Sequence, residues 1–194
     1  FDSAAQYLKS KGGVTVVAAG NSGTNTSVAT TGNLVIVSAT DSNDVIASWS
    51  SYGTQISISA PGVSVLTTNN GGGYGYWSGT SFSSPVVAGS AALMMSINPA
   101  LPPSQIQSLL YSTSVDLGAA GKDIYYGAGR VNAAAATQAA ASAVATDTQS
   151  PTVSISAPTG GTVSGLVAVD VAASDNIGVT RVDLAVNGQI YASD

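Results

Sequence analysis

Residues 14–23, VTVVAAGNSG, join a continuous apolar run of strand length to a Gly-Asn turn. A Val/Ala run with no polar alternation predicts a strand buried on both faces, as in a parallel sheet covered by helices. Upstream, residues 1–11 (FDSAAQYLKSK) place Ala4, Ala5 and Leu8 on one helical face, and Gly12-Gly13 supply a left-handed stop. Downstream, Leu34 to Ala39 (LVIVSA) is a second run of the buried kind. Ile56 to Ala60 alternates apolar residues with Ser, which predicts a strand half open to solvent, stopped at Pro61-Gly62. Strands alternating with helical segments point to an α/β fold with a parallel sheet.

Farther on, a helix of small residues is expected from about Phe82 to Met95, ending at Asn98-Pro99, with Pro85 in its first turn. Pro102-Pro103-Ser104 opens another, with Ile106, Leu109 and Leu110 as its apolar stripe. An Ala-rich helix follows, capped by Asn132 and reaching about Val144. From Val153 the period becomes two: Val153, Ile155, Ala157; Val167, Val169, Val171; Val182, Leu184, Val186; and Asn187-Gly188 is a hairpin signal. The α/β part is therefore assigned to residues 1–145, a linker to 146–151 and an all-β part to 152–194.

Composition narrows the function. Of 194 residues, 44% are hydrophobic and 8% charged, too apolar for a disordered chain, and the net charge of −5 includes no basic patch. Nucleic acid and an anionic membrane are thereby disfavoured as partners. No apolar run approaches the ~18 residues of a membrane span. The absence of Cys favours export. The chain opens without Met in mid-helix, so its start reads as truncated. It contains no His, the usual base for a Ser nucleophile.

Two motifs carry chemistry. Gly79 to Gly89, GTSFSSPVVAG, puts Ser81 at a Gly-bounded turn before a helix, where the helix dipole favours negative charge. Gly-Thr-Ser alone reads more readily as a helix cap. Ala18 to Gly23, AAGNSG, puts Asn21 at the carboxyl end of a strand, where open α/β sheets place their sites. By itself Asn21 reads as a turn residue.

Taken together, sixty residues apart and in this order, the motifs resemble those of the subtilisin-like serine protease family, most closely its thermitase-like bacterial branch. The resemblance extends through SWSSYG (48–53), ISISAPG (56–62) and YYGAGRVNAAAA (125–136), covering residues 1 to about 142. It implies a partial subtilisin-like three-layer α/β fold with a parallel sheet, followed by a partial immunoglobulin-like sandwich. It implies Ser81 as nucleophile and Asn21, with the Ser81 N–H, as oxyanion donors. Ala18, Ala19 and Gly20 would wall the substrate pocket, with Gly79 and Thr80 also at substrate. The family's catalytic Asp and His would lie upstream of Phe1, so these residues alone are expected to be inactive.

Two departures are visible: Val86 stands where the family often has a non-catalytic His, and the Ser22–Gly32 loop is short. The implied activity is hydrolysis of protein or peptide substrates by a secreted, extracellular monomer that needs no cofactor for chemistry. Structural calcium is not shown by the sequence. Asp170, Asp175, Asn176 and Asp183 read as solvated turn and strand residues rather than a calcium site. GGGYG (71–75) reads as a hairpin tip rather than a phosphate loop, and Asn25-Thr26-Ser27 is a glycosylation sequon without consequence in a bacterium. The alternative is a non-catalytic extracellular binding protein built on a protease-like scaffold.

Overall fold

In the computed structural model, which describes residues 2–143, 149–175 and 179–193, helix α1 spans Asp2–Ser10 and closes at Gly12, φ +86°. Its buried stripe is narrower than predicted: Ala5 is buried while Ala4 and Leu8 are exposed. The helix leans on the first strand, Lys9 Nζ donates to Gln107 Oε1 at 2.9 Å, and Leu8 lies over Gly13, where a Cβ would meet its side chain.

Strands β1 (Thr15–Ala18), β2 (Leu34–Thr40) and β3 (Ile58–Pro61) form a parallel sheet in the order β1-β2-β3, with Val17 opposite Ile36 and Val37 opposite Ile58. In the middle strand Val35, Val37 and Ala39 are fully buried. The expectation of two-faced burial fails for β1, none of whose residues is buried. Its position at the sheet edge is the reason, because one side has no neighbouring strand among the described residues. The reading of β3 as half solvent-facing is also corrected. Ser59 is fully buried and donates to the Gly129 carbonyl at 3.0 Å, and the Ser57 hydroxyl accepts from the Ile36 N–H at 3.0 Å. The alternating serines meet neighbouring polypeptide, not water.

β4 (Val65–Thr68) and β5 (Tyr74–Trp77) form an antiparallel hairpin whose tip is the Gly-rich segment. Helix α2 (Thr80–Ile97) then packs across all three parallel strands, with Val87, Ala91 and Met94 on its buried stripe. Contrary to the reading of apolar runs, α2 is long and apolar enough, by length and composition, to cross a membrane, a test that core helices also pass. It also starts two residues before the predicted Phe82, so Pro85 falls in the second turn instead of the first. There its missing N–H leaves the Ser81 carbonyl without its helical partner.

α3 (Pro103–Ser112) buries Ile106 and Leu110, with Gln107 rather than Leu109 completing the covered face. α4 (Ala133–Ser142) packs Ala136 and Ala140 against its neighbours. Val144 and residues 146–148 of the expected linker lie outside the described residues. As predicted, the Asn132 carboxamide caps α4, accepting from the Ala135 N–H at 3.1 Å. Asn132→Ala is expected to lower stability by ~1 kcal/mol. An unchanged urea midpoint in the full-length protein would remove the cap from the account.

The chain falls into two compact units, residues 1–144 and 145–194. In the second unit β6 (Thr152–Ala157) pairs antiparallel with β7 (Asp170–Ser174), and β8 (Asp183–Val186) with β9 (Gln189–Ser193). The predicted strand at 167–171 is thus displaced toward the C-terminus. Asn187 and Gly188, at φ +50° and +79°, close the β8–β9 hairpin as predicted. The two hairpins line a cleft of about 970 Å³ with Val153, Ile155, Val171 and Leu184. These are two pairs of small antiparallel strands with an open cleft between them. Of the four residues weighed for calcium, Asn176 lies outside the described residues. Asp183 accepts from Ser193 and Arg181, which hold its carboxyl below the usual range. No cluster of three His, Cys, Asp or Glu side chains gathers among the described residues.

Candidate active site

The carboxyl ends of the parallel strands and the N-terminus of α2 converge through backbone hydrogen bonds. Gly62, following β3, donates to the Thr40 carbonyl of β2 at 2.9 Å and accepts from the Gly79 N–H at 2.8 Å. A Cβ on Gly62 would clash with Ser83 Oγ and lie 2.7 Å from Ala39 Cβ, so only glycine lets helix and sheet approach so closely. At the end of β1, Gly20 has φ +102° and accepts from the Ser51 N–H at 2.9 Å. Its own N–H donates to Thr80 Oγ1 at 3.2 Å. A side chain there would be strained by its φ and crowded by Ser51 Oγ at 3.1 Å.

This strapping joins Asn21 to the start of α2. Asn21 Oδ1 accepts from the Thr80 N–H and from the Thr80 hydroxyl, both at 2.9 Å. A backbone N–H can only donate, so the carboxamide atom facing it must be oxygen, and the amide orientation follows from chemistry. Nδ2 is consequently turned away from Thr80 and lies beside Gly79, 3.5 Å from where a Cβ would stand on that residue. The next residue, Ser81, is exposed in the first turn of α2. Its N–H has no helical carbonyl four residues back, and the helix dipole adds positive potential there.

The predicted site residues therefore fall around one turn. Ser81, Asn21 and Ala18 are exposed, Ala19 and Gly20 half-buried, and Gly79 and Thr80 buried. Thr80, expected at substrate, has its side chain fully enclosed and directed at Asn21 and Gly20. No His lies anywhere in the chain to serve as base. Val86 is at the surface.

Sequence reasoning missed two features. The Ser51 hydroxyl accepts from the Ser22 N–H at 3.3 Å and lies 3.0 Å from Ser22 Oγ, tying the loop after Asn21 to residues 48–53. A cleft of about 710 Å³ is lined by the β4–β5 hairpin tip with Trp77 and Phe82. Its sequence signal was a pair of aromatics, one on either side of Ser81. The Trp77 indole N–H donates to Asn69 Oδ1 at 2.8 Å, which sets that wall.

Comparison with known proteins finds relatives for both parts of the chain. Subtilisin DY of Bacillus licheniformis is 44% identical over 131 residues, covering 64% of this chain and 47% of that protein. A thermophilic serine proteinase of Bacillus sp. (strain AK1) is 46% identical over 98 residues, covering 50% and 24%. Among solved structures, a protease from Pseudoalteromonas arctica superposes with a TM-score of 0.64 at 37% identity, covering 72% of this chain and 46% of that one. A lanthipeptide protease gives 0.63 at 27% identity, covering 71% and 54%. The chain spans about half or less of the length of the curated relatives it matches. Residues 151–194 match the bacterial Ig domain. Residues 1–129 match the subtilase family, and the chain belongs to it.

Proposed function

We propose that the full-length protein is an exported serine endopeptidase that cleaves extended segments of protein substrates. Ser81 Oγ attacks the scissile carbonyl and transfers its proton to a His contributed by sequence upstream of Phe1, which an upstream Asp orients. The oxygen that becomes negative is received by the Ser81 N–H and Asn21 Nδ2. An acyl-enzyme forms on Ser81, the amine leaves with the proton, and water then releases the acid. Ala18, Ala19 and Gly20 flank the substrate backbone on one side of the scissile bond. The cleft bounded by Trp77 and Phe82 takes chain on the other.

One observation carries this reading: Thr80 engages Asn21 Oδ1 with both its donors, which leaves Nδ2 as the other end of the amide, beside Gly79, two residues before the exposed Ser81. The test is covalent labelling of the full-length protein with a fluorophosphonate, followed by peptide mapping. Modification confined to Ser81 is the expected result. An unlabelled Ser81 in folded full-length protein would leave a non-catalytic scaffold as the better description.

A further inference from the structure

We propose that Asn70, at the tip of the β4–β5 hairpin, is a site of spontaneous deamidation that alters the cleft beside Ser81. The tip runs from Asn69 to Gly73 and is closed by Asn69 N–H to Gly73 O and Gly72 N–H to Asn69 O, each at 3.1 Å. Gly71, third in the turn Asn69-Asn70-Gly71-Gly72, has φ +95°, the geometry of a type II turn. In such a turn the N–H at this position has no partner within the turn. A Cβ placed on Gly71, Gly72 or Gly73 would meet nothing within 4 Å, so the Asn70–Gly71 peptide is restrained by the turn's own hydrogen bonds and by no packing against these glycines. Asn70 is exposed.

These are the requirements for intramolecular attack. The Gly71 backbone nitrogen adds to the Asn70 side-chain carbonyl carbon. The new C–N bond closes a five-membered succinimide, the Asn70 C–N amide bond breaks, and ammonia leaves with the Gly71 proton. Water then opens the ring at either carbonyl, giving aspartate or isoaspartate with no oxidant or cofactor consumed.

Neighbouring asparagines lack this freedom. Asn69 Oδ1 is held by the Trp77 indole, and the Asn69 carboxamide lies against Gly75. Asn187 also precedes a glycine, but it occupies a left-handed position in a two-residue hairpin closed by the pairing of Val186 with Gln189. Reaction there requires that turn to open first. The consequence of reaction at Asn70 is local: the cleft lined by Asn70, Trp77 and Phe82 gains a carboxylate. In the isoaspartate product the tip also gains a backbone atom.

The full-length protein, held in mildly alkaline buffer with protease inhibitors, is to be sampled over time and mapped by mass spectrometry that separates aspartate from isoaspartate. Asn70 should convert first, about tenfold faster than Asn187, which corresponds to ~1.4 kcal/mol of local opening. Asn70→Gln should remove the conversion from that peptide. Equal or faster reaction at Asn187 would overturn the proposal. So would an Asn70 that keeps its amide while a synthetic peptide of residues 66–76 loses it.

Discussion

Replacing Ser81 by Ala in the full-length protein is expected to abolish peptide hydrolysis. Loss of the corresponding nucleophile in subtilisin, a relative of this chain, lowers kcat by about 10⁶, and that borrowed magnitude is the one to expect. The substitution is clean structurally. Ser81 is exposed, lies in the first turn of α2 and makes no side-chain bond that the fold depends on. Ala is also a better helix former, so stability should stay within ~0.5 kcal/mol. A collapse in rate at unchanged melting temperature then reports chemistry and not unfolding. The same replacement in the 194-residue chain should change nothing, because a chain without His leaves the hydroxyl without a base in either form. Hydrolysis by the full-length Ser81→Ala protein within tenfold of the parent would sink the assignment of Ser81.

How far the sequence alone reached can be seen element by element. Runs of Val and Ile named the buried strand β2, and small residues in helical order named α2, because burial leaves few residue types to choose from. The same logic misread β3. Alternating Ser predicts a solvent face, whereas Ser57 and Ser59 are bonded to Ile36 and Gly129. Alternation records which face is polar and not what the polar face touches. β1 was read as two-faced because its composition is that of an interior strand, yet within these residues it forms an edge.

The candidate site was legible in its termini and not in its interior. Ser81 and Asn21 are singled out because their motifs, taken in order, resemble those of the subtilisin-like family, although each alone reads as a helix cap or a turn residue. The bond between Asn21 and Thr80 spans 59 residues of sequence, and no local pattern announces it. The full burial of the Thr80 side chain is equally invisible in the sequence. The hairpin cleft escaped notice because Trp77 and Phe82 lie on different elements, and only folding brings them to one wall.

Asn21 permits a sharper experiment than simple removal, since its two amide ends do different work. Asn21→Ala deletes both, and the buried Thr80 N–H loses its acceptor, a change that costs about 1–3 kcal/mol of stability as well as rate. Asn21→Asp keeps an oxygen for the Thr80 N–H and hydroxyl and removes only the Nδ2 donor, while placing negative charge where an oxyanion forms. Its expected effect in the full-length protein is a fall in kcat of about 10²–10³ with KM changed a few-fold at most, because the missing bond belongs to the transition state. The subtilisin oxyanion asparagine is the source of that magnitude. Thr80→Val keeps the N–H bond but loses the hydroxyl, so the carboxamide is held at one point instead of two and the Gly20 N–H loses its acceptor; kcat should drop about tenfold, with some loss of stability as well. The ordering Asp below Val below parent in kcat, with Asp the variant that keeps its stability, separates a donor from a mere tether. If Asn21→Asp turned over substrate within twofold of the parent, Nδ2 would have no part in the reaction, and the oxyanion would have to be held by the α2 N-terminus alone.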